Sequence, residues 1–256
     1  MTSTVERRVP PCHCPAPLSR RAALSGAAMW LLSAAVRGEL PDAGGGSPVE
    51  VAGIQIPRTA LALRAATLAR SACPPFLYNH CMRTYLLGAL SMQAQHTAFD
   101  PEIAFVAAAL HDLGLLPRFA SARASFEVDG ADRAERLMHA SGRSSEDGRR
   151  VWNAIVAHDM SSTYAEHQSP EAVLVNAGAG ADVVGPGDLE ARAVAEVIRA
   201  YPRREFKTRF TALLVDHCRR KPTSESGWLD GLCRGTAPHA SRPSVKQEIL
   251  DAPYRE

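Results

Sequence analysis

Between Pro57 and Lys221, apolar residues recur at helical rather than strand spacing, and the breaks between runs carry residues that start and stop helices. That pattern leaves little room for a sheet. Pro57 opens a helix over 58–72, with Leu61, Ala65 and Leu68 on one face, and Pro74-Pro75 ends it. A second helix is predicted over 76–95. The third has the plainest start, at Asp100-Pro101-Glu102. The aspartate caps free amides, the proline suits the first turn, and the glutamate complements the helix dipole. It continues through Ile103, Val106 and Leu110 to a stop near Gly114, with Pro117 beyond. Further helices are predicted over 129–140, 145–158, 170–184, 189–200 and 204–219. The fold class is all-α, a single domain of seven or eight helices.

A chain of 256 residues suits one large domain with appendages. Residues 1–36 read as a targeting segment. Ser19-Arg20-Arg21 is followed by the apolar run Ala22 to Val36, with small residues Ser33, Ala34 and Ala35 where a cut would fall. This resembles a twin-arginine export signal, implying a periplasmic or extracellular protein; without export the chain would be cytoplasmic. The run is too short and too rich in alanine and glycine for a membrane span, so no stable membrane anchor is expected. Pro41, the Gly44-Gly45-Gly46 run and Pro48 mark 37–56 as a flexible linker. Residues 57–222 form the domain. Residues 223–256 are polar and proline-containing, an extension expected to be loose.

Net charge is +2, and residues 1–35 hold four arginines against one acid, so the remainder of the chain stands at −1. No polyanion surface is implied, and no nucleic-acid partner is expected. Cys73, Cys81, Cys218 and Cys233 lack the spacing of a zinc ribbon and are expected as buried free thiols.

The chemistry concentrates at a few polar residues in apolar text. His111-Asp112 follows the run Ala104–Leu110, where an ionised aspartate is costly without a partner. Adjacent helix residues point about 100° apart, yet both reach one point if a metal lies between them at a helix end. Asp182 sits among Gly178, Ala179, Gly180 and Ala181, small residues that let helices approach closely, and it too asks for a cation or an arginine. His80 lies on the second helix, with Arg83 one turn along.

The order His80, His111-Asp112, Asp182 on an all-helical chain resembles the HD-domain superfamily of metal-dependent hydrolases. The flanking text is similar to its cyanamide-hydratase-like branch. The matching stretches include Tyr78-Asn79-His80-Cys81, Ala109-Leu110-His111-Asp112-Leu113-Gly114, Phe126-Glu127-Val128-Asp129-Gly130 and Ala154-Ile155-Val156-Ala157-His158. They cover about residues 57–222. The resemblance implies that His80, His111, Asp112 and Asp182 ligate one divalent metal, with zinc, iron or manganese suiting the donor set better than magnesium. It implies a metal-activated water, with Asp112 also helping to accept a proton. His158 is expected as a catalytic acid or base, with substrate binding or a structural role at a helix end as the alternatives; Arg83 is expected to bind an anionic substrate group or to pair with a carboxylate, and Phe126 to form a pocket wall. Asp129 is expected to cap a helix. A second metal is not expected, because His139 and His167 lie in polar text.

The implied function is hydrolysis or hydration of a small molecule, nitrile-like by the branch resemblance. The alternatives are phosphohydrolysis of a nucleotide or phosphoester, and a degenerate HD domain that binds metal or ligand without turnover. Oligomeric state is left open.

Overall fold

The computed structural model describes residues 49–222, 227–235 and 244–256; residues 1–36, expected as a targeting segment, and most of 37–56 lie outside the described residues. The chain is helical, as its periodicity predicts, with eleven α-helices among the described residues.

A two-stranded antiparallel hairpin comes first, β1 (Glu50–Val51) and β2 (Ile54–Gln55). Ala52 and Gly53 turn it with positive φ. It lies where a linker was expected, because Val51, Ile54 and Ile56 are buried and Tyr85 donates to the Gln55 carbonyl at 3.1 Å. Eight helices of ten or more residues then match the predicted ones: α1 (Ala60–Ala72), α2 (Pro75–Ala94), α3 (Pro101–Leu110), α4 (Phe126–Ala140), α5 (Ser145–Val156), α7 (Pro170–Val183), α8 (Ala191–Ala200) and α9 (Phe206–Arg220). The short α6 (Ser162–Glu166), α10 (Asp230–Arg234) and α11 (Val245–Asp251) were not predicted, since five to seven residues are too few to display a helical period.

Local chemistry explains the termini. Asp100 accepts from the amides of Glu102 and Ile103, as its position predicts. Thr59, Ser144 and Ser169 cap α1, α5 and α7 in the same way. The third helix stops at Leu110 rather than near Gly114, and a 3₁₀ turn follows over Leu113–Leu115. That early stop puts His111 and Asp112 at the helix end. Likewise α5 stops at Val156, so His158 sits in the turn beyond it.

The core is built around α2, of whose twenty residues fourteen are buried. It packs against α3, α7, α8 and α9, and α4 with α5 closes the far side of α3. The α2–α7 contact is backbone on backbone. A Cβ on Gly178 would stand 1.9 Å from the Thr84 carbonyl oxygen, and one on Gly88 2.2 Å from that of Leu174. Small residues in α7 therefore do what the sequence suggested. A Gly178→Ala change is expected to cost about 3 kcal/mol, the clash outweighing the ~1 kcal/mol that alanine gains in helix propensity. Gly180→Ala, where a Cβ meets nothing within 4 Å, is expected to be neutral or stabilising. Urea midpoints of the two variants check the contrast.

Two expectations about the ends are corrected. Residues 244–256 are not loose: Ile249 is fully buried, and Lys207 Nζ donates to the Leu250 and Ala252 carbonyls at the end of α11. Cys218 and Cys233 form a disulfide joining α9 to α10, because the chain folds back and brings their Cα atoms to 4.6 Å. Cys73 and Cys81 are free and buried, as expected.

Candidate metal centre

His80 projects from the middle of α2, and its ring Nδ1 lies 2.7 Å from Asp182 Oδ2. The carboxylate accepts, so Nδ1 carries the proton and Nε2 presents a lone pair. His111 repeats the arrangement with a different partner. Its Nδ1 donates to the Ala108 carbonyl at 2.8 Å, leaving Nε2 as an acceptor. The two Nε2 atoms face each other at 3.2 Å, where two lone pairs cannot bond. Asp112 Oδ2 stands 3.4 Å from each of them and has no hydrogen-bond partner although it is buried. The three ligand atoms lie within 4.8 Å of one another.

His158 adds a further acceptor. Its Nδ1 donates to the Ile155 carbonyl at 2.6 Å, and its Nε2 is 3.8 Å from Asp112 Oδ1. Three imidazole lone pairs and a carboxylate thus converge in a buried place without a donor among them. Such a set is unfavourable unless a cation sits there. Two imidazoles and a carboxylate fit a divalent transition metal. Burial, above the opposing pull of Asp112, pushes His111 down to about 3, so it is neutral and available as a ligand at pH 7.

Asp182 does not stand among these atoms. It lies behind His80, fully buried, with every lone pair engaged. Arg83 Nε and Arg203 Nη1 each donate to Oδ1 at 2.7 Å, while Arg83 Nη2 and His80 Nδ1 meet Oδ2 at 2.7 Å. Burial raises its pKa, but the charge and hydrogen bonds of Arg83 and the bond from His80 outweigh that and hold the carboxyl far below the usual range. Of the four residues that the resemblance implies as ligands, the structure brings the ligand atoms of His80, His111 and Asp112 together, and sets Asp182 against His80 Nδ1 as its carboxylate partner.

Of the two readings of Arg83, the same contacts display pairing with a carboxylate. Its guanidinium is fully buried between Asp182 and the Tyr201 carbonyl, which it reaches at 2.9 Å, and it does not line the pocket. Asp129 does not cap α4. It accepts from the Ser121 amide and from Lys221 Nζ, each within 2.8 Å, and Lys221 is buried. His139 pairs at 3.9 Å with Glu135 on the surface, and exposed His167 bonds Thr163; neither belongs to the cluster.

A pocket of about 200 Å³ opens over His80, His111, Asp112 and His158. Phe126 lines it, as expected, with its ring centred 5.5 Å from that of His158. Most of the remaining wall is apolar, from α7, α9 and Trp228, and among the described residues no lysine or arginine lines it. Asp159 also faces the pocket, backed by Glu127, whose carboxyl burial and the charge of Asp159 push up to about 8. Trp228, Arg203 and the Glu127–Asp159 pair were missed from sequence. Trp228 lies in the segment read as loose, and nothing in the text around Arg203 marks it from other arginines. The repeated acidic positions beside Phe126 and His158 were the one signal that could have pointed to the pair.

Residues 77–184 match a family model described as HD domain, a span that contains His80, His111, Asp112, His158 and Asp182. The comparison with curated proteins returned no match.

Proposed function

We propose that the HD domain at residues 77–184 makes this chain a metal-dependent hydrolase or hydratase of a small, uncharged molecule, of the cyanamide-hydratase-like kind. One observation carries the reading: acceptors alone converge from His80, His111 and Asp112 on the floor of a small, mostly apolar pocket. These three residues would hold one zinc, iron or manganese ion. When bound, such an ion supplies a water acidic enough to act as nucleophile near neutral pH.

The chain's own residues divide the remaining work. Asp182 and the Ala108 carbonyl fix the tautomers of His80 and His111, so that both Nε2 atoms point inward. The Ile155 carbonyl does the same for His158, whose Nε2 is placed to take a proton from the attacking water and return it to the product. Phe126, Phe210 and Trp228 exclude bulk water and limit the substrate to a few heavy atoms. The described lining is mostly apolar and offers no lysine or arginine, which favours an uncharged substrate over a phosphoester, whose charged oxygens call for such partners. With the export-like leader, the substrate would be met outside the cytoplasm.

The test is a substrate panel on the purified, metal-replete chain, containing cyanamide and small nitriles, neutral amides, phosphomonoesters and nucleotides. Turnover of a neutral small substrate, with phosphoesters slower, is expected. Preferential phosphoester hydrolysis would overturn the substrate class, and metal without turnover across the panel would support the degenerate domain instead.

A further inference from the structure

We infer that the segment 253–256 is a latch on the metal centre: Tyr254 and Glu256 hold Arg203, Arg203 with Arg83 holds Asp182, and Asp182 fixes the ring of His80. The inference rests on the metal-centre reading above, and it extends that site to residues well outside 77–184.

The contacts form an unbroken series. Arg203 Nη1 donates to Asp182 Oδ1 at 2.7 Å and to the Asp182 carbonyl at 3.1 Å. Arg203 Nε donates to Glu256 Oε1 at 3.1 Å. The Tyr254 ring covers the guanidinium with its centre 4.3 Å from the central carbon, and the Tyr254 hydroxyl donates to the Ala181 carbonyl at 2.5 Å, one residue before Asp182. Phe206 lies against the same guanidinium, at 4.9 Å, and also stacks on His80 at 4.8 Å between ring centres. His80 is thus gripped through Asp182 and through Phe206, and both grips pass through Arg203.

The loop that carries Arg203 is not self-supporting. Arg204 and Glu205 both adopt positive φ, a conformation that costs non-glycine residues free energy and persists only when the surroundings impose it. Glu256 supplies part of that support, since its Oε2 also accepts from the Lys207 amide at 3.2 Å. Charge points the same way. Asp182 and Glu256 balance Arg83 and Arg203; without Glu256 the cluster behind His80 gains a net positive charge, which opposes a cation on the other side of the ring.

Tyr254 and Glu256 are therefore positioning residues. The experiment measures two quantities in the full chain: zinc affinity by chelator competition, and the 15N-edited proton signal of His80 Nδ1–H in the metal-free protein. A Tyr254→Ala/Glu256→Ala variant is expected to bind zinc about tenfold or more weakly, as for loss of other outer partners of metal-bound histidines. In it the His80 signal is expected to broaden or move upfield. Tyr254→Phe, which keeps the ring over Arg203, is expected to retain most of both, and Glu256→Gln to fall between. If the double variant does not fold, Glu256→Gln and Tyr254→Phe carry the test on the same graded order.

Parent-like zinc affinity and an unchanged His80 signal in the double variant, or in Glu256→Gln where the double variant does not fold, would overturn the latch. Absence of zinc binding in the parent chain would overturn the metal-centre reading instead, while the His80 signal in the metal-free protein would still decide whether the segment holds the ring.

Discussion

An Asp112→Asn variant is expected to lose its metal while its metal-free form becomes more stable. Asp112 Oδ2 is buried, lacks a hydrogen-bond partner, and faces two imidazole lone pairs at 3.4 Å. In the metal-free protein this arrangement is a cost of about 1–3 kcal/mol, the usual penalty of an unsatisfied buried polar group. An asparagine of the same shape brings an N–H₂ donor to those lone pairs and removes a buried charge. Without a carboxylate, the cation loses its only anionic ligand in the cluster. The expected fall in metal affinity exceeds the 10–100-fold typical of outer partners, so it is more than about 100-fold. Elemental analysis after gel filtration reads the metal, and thermal unfolding with a chelator present reads the stability. A variant that keeps parent-like affinity would remove Asp112 from the centre.

The second large effect has the opposite sign in the same measurement. Asp182→Asn is expected to cost about 3–5 kcal/mol of stability in the metal-free protein, as when one member of a buried ionic network is removed. Asp182 anchors two buried guanidiniums, and each of its oxygens receives two donors. An asparagine turns a donor toward donors and leaves two arginines against the half-exposed Glu256 alone. Metal affinity is expected to fall by about 10–100-fold, because His80 loses the partner that fixes its tautomer. Chelated Asp112→Asn and Asp182→Asn proteins should therefore unfold on opposite sides of the parent. If Asp182→Asn left the chelated protein as stable as the parent and abolished metal binding, Asp182 would be a direct ligand and its contacts with the arginines secondary.

These two aspartates look alike in the sequence. Each is a lone carboxylate in apolar, small-residue text, and each asks for a positive partner. Which partner it finds depends on residues far along the chain. Arg203 comes from the loop before α9, where one arginine among several gives no local sign of its destination. The same limit applies to Arg83, for which substrate binding and pairing with a carboxylate were both open. One helical turn fixes its face on α2, but not which of two faces of that buried helix looks into the pocket.

The helices were legible because proline, aspartate, serine and glycine at their ends act over a few residues. The hairpin, the three shortest helices and the docked segment 244–256 were not, since each is stabilised by burial against distant elements. Val51 and Ile54, or Ile249, reveal nothing of that burial in their own neighbourhood. Resemblance supplied the group His80, His111, Asp112 and Asp182; the structure then set ligand atoms of the first three together and Asp182 between His80 and two arginines.

By itself, then, the sequence determined the helical class, the main helix boundaries, and the few polar side chains that burial would force into partnership. Local backbone chemistry and hydrophobic period are sufficient for that much. Tertiary structure alone decided that Asp182 meets two arginines, that Arg83 lies in that network, and that Tyr254 and Glu256 contact Arg203 behind it. Those outcomes depend on donors and acceptors about a hundred residues apart meeting within 3 Å, and on each buried charge taking the nearest opposite one that the packing of α2, α7 and α9 allows.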